Sequence, residues 1–147
     1  MPQMISCHVP DPVVYMARLC KSRAVKGGTE NYHIFLNSVE GIAKMIRLAG
    51  LKPEECRIVC SQNKESLERN QRILGEFTIQ TNNDPVRLFN YYTSTSFQGQ
   101  DILDEDGRTF IVSEPYKDHT KMDVLTTIPQ ICGRIRNSKY KNEITQI

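Results

Sequence analysis

The chain has 147 residues, 39% of them hydrophobic and 24% charged, with a formal net charge of +2. That is enough for one domain with a buried core, and the charge is too small to specify a nucleic-acid partner by itself. Apolar stretches of only a few residues exclude a transmembrane helix. The opening MPQMISCHVPDPVV lacks the basic-then-apolar pattern of a secretory leader. A cytoplasmic protein without a membrane partner is expected.

In chain order, residues 1–30 read as a linker or N-terminal extension, with a short helix after Pro12 that ends at Gly27-Gly28. The domain proper spans 31–147. YHIFLN is an apolar run of strand length. SVEGIAKMIRLAG then places Val39, Ile42, Ala43, Ile46 and Ala49 at helical spacing, with Ser38 as N-cap and Gly50 as stop. ECRIVCS predicts a second strand, and NKESLERNQRILGEF a more polar helix with Leu67, Ile73 and Leu74 inward. VRLFNYYTS predicts a third strand, and GRTFIVS a fourth, entered through a hairpin turn at Asp104–Gly107. A helix is expected over roughly 121 to 136, and EITQI closes as a short β-rich run. Strand–helix alternation with short connections predicts an α/β fold, a parallel sheet with helices on both faces. In such sheets ligands bind at the carboxyl ends of the strands.

Five cysteines (Cys7, Cys20, Cys56, Cys60, Cys132) are odd in number and scattered among apolar neighbours. Cys56 and Cys60 share a strand face about 13 Å apart, too far to share a metal, so buried thiols are expected. His8, His33 and His119 form no ligand cluster.

Two segments that follow strands carry chemistry. In TSTSFQGQDI (93–102), clustered hydroxyls offer donors for phosphate oxygens. Gly99 permits close backbone approach to a ligand, and Asp101 can accept hydrogen bonds from a sugar hydroxyl. A polar loop with a turn glycine is the plainer alternative. In QICGRIR (130–136), Arg134 and Arg136 do not share a face of a regular helix, and splayed they can address different groups. Arginine suits phosphate through its planar fork, and Gly133 lets another backbone pack beside them. The run from Ile131 to Lys141 carries Arg134, Arg136, Lys139 and Lys141 with no acidic residue. A solvated basic helix end remains open as an alternative.

In this order and spacing, TSTSFQGQDI resembles helicase motif V, with Thr93, Gly99 and Asp101 in register. QICGRIR resembles motif VI in its Gln-x-x-Gly-Arg-x-Arg form, and HIFLNSVEGIAKMI resembles motif IV. The chain thus resembles the C-terminal RecA-like domain of a superfamily-two (DEAD/DEAH-like) helicase over residues 32–147. DEAD-box proteins place the last arginine three residues after the first. Here the spacing is two and Asn137 stands at that position, which favours the RNA-sensor and viral origin-binding branch.

The resemblance implies a P-loop NTPase fold without its own phosphate loop, closing over ATP and Mg²⁺ held mainly by a first RecA-like domain. Arg134 and Arg136 would serve as arginine fingers, either of them reaching the γ-phosphate, with Gln130 beside it. Gly99, Asp101 and Gly133 would lie against the nucleotide, Asp101 near the ribose. Asn37, Ser38, Ser61 and Thr93 would contact the sugar-phosphate backbone of DNA or RNA. No phosphate loop is present, since Lys26-Gly27-Gly28-Thr29 has the residue types in the wrong order. A domain belonging to a larger protein is therefore expected, inactive alone. The alternatives are a non-catalytic nucleic-acid- or protein-binding module derived from such a domain, and an unrelated α/β protein that mimics the motifs.

Overall fold

The computed structural model describes residues 3–61, 63–81, 83–93, 102–113, 135–136 and 143–147. Its centre is a strand, β2 (Asn31–Phe35), whose alternate residues face opposite sides of a sheet that is buried on both. On one side β2 pairs with β5 (Phe89–Tyr92), which pairs with β3 (Cys56–Val59) and then β4 (Ile79–Gln80). On the other side follow β7 (Gly107–Ile111), β9 (Glu143–Gln146) and β1 (Gln3–Ser6). All seven strands run parallel, in the order β1-β9-β7-β2-β5-β3-β4. This is the α/β parallel sheet that the alternating pattern predicts, and it is consistent with a RecA-like arrangement.

Helix boundaries follow local chemistry. α1 (Pro12–Lys26) begins where Asp11 accepts a hydrogen bond from the Val14 N–H and Pro12 fills the first position, and it ends at Gly27. α2 (Val39–Ala49) is capped by Ser38, whose side chain accepts from the Gly41 N–H, and stops at Gly50 with φ +68°. Left-handed backbone there favours glycine. α3 (Lys64–Leu74) starts at Asn63, which accepts from the Glu65 N–H, and stops at Gly75.

The three helices share one core with one face of the sheet. Val13, Met16 and Ala17 of α1 and Ile42, Met45 and Ile46 of α2 pack with Ile34, Leu36, Ile58, Phe89 and Tyr91. The segment 1–30 thus supplies a strand and a core helix: among the described residues β1 pairs with β9 alone, while α1 buries Val13, Met16 and Cys20. Leu74 is buried as expected, Ile73 packs partly against the core and Leu67 is half-buried, whereas the polar Asn70 is buried.

Two expectations are corrected. The helix placed over roughly 121 to 136 does not extend to its end: Ile135–Arg136 form a strand, β8, parallel to β6 (Ile102–Leu103). The remainder of that expected helix lies outside the described residues. The Asp104–Gly107 segment does turn, with the Gly107 N–H donating to the Asp104 carbonyl at 3.1 Å. It is not a hairpin, because β6 pairs with β8 in a second, two-stranded sheet while β7 joins β2 and β9.

Candidate nucleic-acid interface

The parallel strands deliver their carboxyl ends to one edge. Phe35, Tyr92 and Val59 stand side by side in β2, β5 and β3, and the ladder continues one residue further. The Leu36 N–H donates to the Tyr92 carbonyl at 3.0 Å, and the Thr93 N–H to the Val59 carbonyl at 3.2 Å. Asn37 and Ser38, Thr93, and Ser61 therefore leave three adjacent strands at the same level. Two strand spacings, roughly 10 Å, separate the outer pair. α2 and α3 both start from this edge, so the positive ends of two helix dipoles lie beside it.

The four residues offer different things. Ser38 Oγ accepts the Gly41 N–H at 3.0 Å and Ser61 Oγ accepts the Asn63 N–H at 3.2 Å. Each hydroxyl is thereby used as an acceptor, and its proton remains the part that a phosphate oxygen can take. Thr93 is buried and its N–H is spent on Val59, so it presents least to a ligand. Further along the edge, the loops after β1 and β7 flank an open cleft of about 500 Å³ lined by Cys7, His8, Pro12, Ser113 and Ile147.

Gly99, Asp101, Gln130, Gly133 and Arg134 lie outside the described residues. Arg136 is described in its backbone, in β8.

Beneath the edge lies a feature that residue spacing did not reveal. The sheet face opposite the helices carries Asn31 and His33 of β2, Asn90 and Tyr92 of β5, Arg57 of β3 and Thr109 of β7. Arg57, only 3% exposed, donates from Nε to Asn90 Oδ1 at 2.9 Å, from Nη1 to the Asp84 carbonyl at 3.1 Å, and from Nη2 to the Tyr92 hydroxyl. His33, 1% exposed, places Nδ1 2.8 Å from that same hydroxyl and Nε2 2.7 Å from Asp104 Oδ2. Asn90 completes the layer by donating to the carbonyls of Tyr32 and Arg87.

Burial pushes the His33 pKa below its ordinary value against the pull of Asp104, so the pair is a neutral imidazole on a carboxylate and not an ion pair. Despite its own desolvation, Asp104 is held below the usual carboxylate range by His33, Asn31 and the Asp106 N–H. Gly107 is required beside them: a Cβ there would come within 2.9 Å of His33 Cδ2.

Cys20, Cys56 and Cys60 are buried thiols, Cys7 is half-buried, and Cys132 lies outside the described residues. Burial pushes Cys20 up to about 12, and raises Cys56 and Cys60 as well, so they remain protonated and inert. Among the described residues no three His, Cys, Asp or Glu side chains cluster as a metal site, and no helix is long and apolar enough to cross a membrane.

The fold and this edge define an α/β parallel-sheet protein with a polar, helix-N-terminal carboxyl edge. No family model, curated protein or solved structure matches the chain.

Proposed function

We propose that the chain is the second motor domain of an ATP-dependent nucleic-acid helicase or translocase, and that its carboxyl edge grips the sugar-phosphate backbone of one strand. The observation that carries this reading is the convergence of Asn37, Ser38, Ser61 and Thr93. They come from three segments separated in sequence, yet leave adjacent strands at one level beside two helix N-termini. Hydroxyl donors of this kind position a backbone without reading bases, so binding is sequence-independent and salt-sensitive. With no tryptophan and 7% aromatic residues, the chain has little to stack on bases.

The nucleotide half of the proposal rests on motif order. ATP with Mg²⁺ is assigned mainly to a first RecA-like domain, and Arg134, Arg136 and Gln130 to closure over the γ-phosphate, an arrangement in which an arginine finger supplies about 10³–10⁵ in rate.

The test begins with the chain as it stands. A labelled single strand should bind weakly, lose affinity as salt rises, and show no sequence preference. A paired Ser61→Ala and Asn37→Ala substitution should weaken binding further. Binding indifferent to that pair would overturn the edge assignment. The chain alone should hydrolyse no ATP. In a protein that joins it to a phosphate-loop domain, Arg134→Ala should abolish hydrolysis. Normal hydrolysis in that variant would leave the alternative, a non-catalytic binding module using the same edge.

A further inference from the structure

The hydrogens of the buried polar chain can be placed by elimination. A guanidinium only donates, so the contact between Arg57 Nη2 and Tyr92 uses a lone pair of the phenol oxygen. The buried imidazole carries one hydrogen, and the Asp104 carboxylate beside Nε2 only accepts, so Nδ1, 2.8 Å from the phenol oxygen, is bare and accepts the Tyr92 hydrogen. The imidazole hydrogen therefore sits on Nε2 and is donated to Asp104 Oδ2 at 2.7 Å. The Asp104 carboxylate also accepts from Asn31 Nδ2 and the Asp106 N–H. The bonds run one way, from Arg57 to Tyr92 to His33 to Asp104, with opposite charges at the ends and neutral groups between. Tyr92 bonds side chains of both neighbouring strands, and Asn90 of the same strand likewise joins Arg57 of β3 to the Tyr32 carbonyl of β2.

Its ring and main chain are fixed from the same two sides. The ring stacks on Phe35 at 4.7 Å and 17°, and the Arg57 guanidinium lies 5.4 Å from its centroid. The Tyr92 carbonyl accepts the Leu36 N–H of the β2 side, and the next N–H, of Thr93, goes to Val59 of β3. Immediately beyond these bonds lie Asn37, Ser38, Ser61 and Thr93.

We propose that Tyr92 is the positioning residue of the carboxyl edge, held by a one-way hydrogen-bond chain whose direction fixes His33 as the neutral Nε2–H tautomer. Tyr92 touches no nucleic acid in this scheme. It keeps the ends of β2, β5 and β3 at one level, so that donors from separate segments meet one backbone. The proposal rests on the reading of that edge as a nucleic-acid-backbone surface.

Two measurements on the whole chain test it. The first is anisotropy of a fluorescein-labelled oligothymidine at low salt, with thermal unfolding as the folding control. Tyr92→Phe should weaken binding about tenfold, the size of one misplaced hydrogen bond to a charged group. His33→Asn, whose amide oxygen takes the place of Nδ1 and keeps an acceptor facing Tyr92, should stay within about twofold of the wild type. His33→Leu removes that acceptor and should bind as weakly as Tyr92→Phe, and it replaces that variant if the latter does not fold. Unchanged affinity in a folded Tyr92→Phe or His33→Leu chain overturns the positioning role, as does equal loss in His33→Asn. The second measurement is the long-range ¹H–¹⁵N spectrum of the His33 ring at neutral pH, assigned by its disappearance in His33→Gln. Shifts of the neutral Nε2–H tautomer are expected. An Nδ1–H or imidazolium pattern overturns the chain's direction. If the wild type does not bind the oligonucleotide at all, the edge reading fails with the positioning role, while the spectrum still decides the hydrogen-bond chain.

Discussion

Replacing Arg57 by methionine isolates what the buried guanidinium contributes, because the side chain keeps similar length and apolar volume. Four acceptors lose a donor, and they are not equivalent. Asn90 Oδ1 still receives the Arg87 N–H at 3.0 Å, and Tyr92 still has His33 as a partner for its hydroxyl. The carbonyls of Thr81 and Asp84 belong to a turn at the surface, where water can replace the guanidinium. The substitution also removes the cost of holding a cation out of water. What remains uncompensated is roughly one charge-assisted hydrogen bond plus the cation–π contact with Tyr92, together about 2–3 kcal/mol. Urea unfolding followed by far-ultraviolet circular dichroism reads this directly as a midpoint shift at constant slope. A loss under about 0.5 kcal/mol would show that Arg57 contributes nothing net, and one above about 5 kcal/mol would show that the four bonds act as one unit. Either result would refute the bond-by-bond reasoning.

Stability should fall on acidification in two stages. His33 has a lowered pKa in the fold, so the unfolded chain takes up protons first: its contribution is complete above the ordinary histidine value near 6.5 and is lost as pH falls below it. Asp104, also lowered, adds a second loss below the ordinary carboxylate value near 3.8. Urea midpoints measured across pH should show both, with the upper stage absent in His33→Gln. An upper stage that persists there would reassign it. Gly107→Ala should cost about 1–3 kcal/mol, since the added methyl must displace His33 from Asp104, and it should also blunt the upper stage; unchanged urea midpoints would refute the close approach. Gly50→Ala has open space for its methyl and should cost only the left-handed backbone strain, about 1–2 kcal/mol, with no change in pH profile.

How much of this was legible depended on whether the cause was local. α2 reads directly, because Ser38 and Gly50 carry their own capping chemistry. Strand β1 does not: QMIS has neither alternation nor turn signals, and its partner stands at the far end of the sequence. The edge residues were found through the order of motifs, and the register then brought them together. The Asp104–Gly107 segment has the local chemistry of a hairpin turn, whereas pairing partners are set by the whole sheet. His33 stands alone among its sequence neighbours, and its partners Tyr92 and Asp104 lie 59 and 71 residues away. NYHIF and FNYY alternate polar with apolar side chains and CRIV carries one arginine, in strands that a parallel sheet buries on both faces. Three such strands in one chain announce a polar layer, and only the register tells which residues meet.

The pairing of β1 with β9 has a consequence for how the chain is made. Gln3 of β1 has Glu143 of β9 as its register partner, 140 residues further along the chain. During synthesis, β1 must wait until nearly the whole domain has emerged before it can take its place. The central strands and α2 depend on much closer contacts and can assemble earlier. Such long-range closure slows folding, and it makes β1, which pairs with β9 alone among the described residues, late to dock and early to exchange its amide hydrogens.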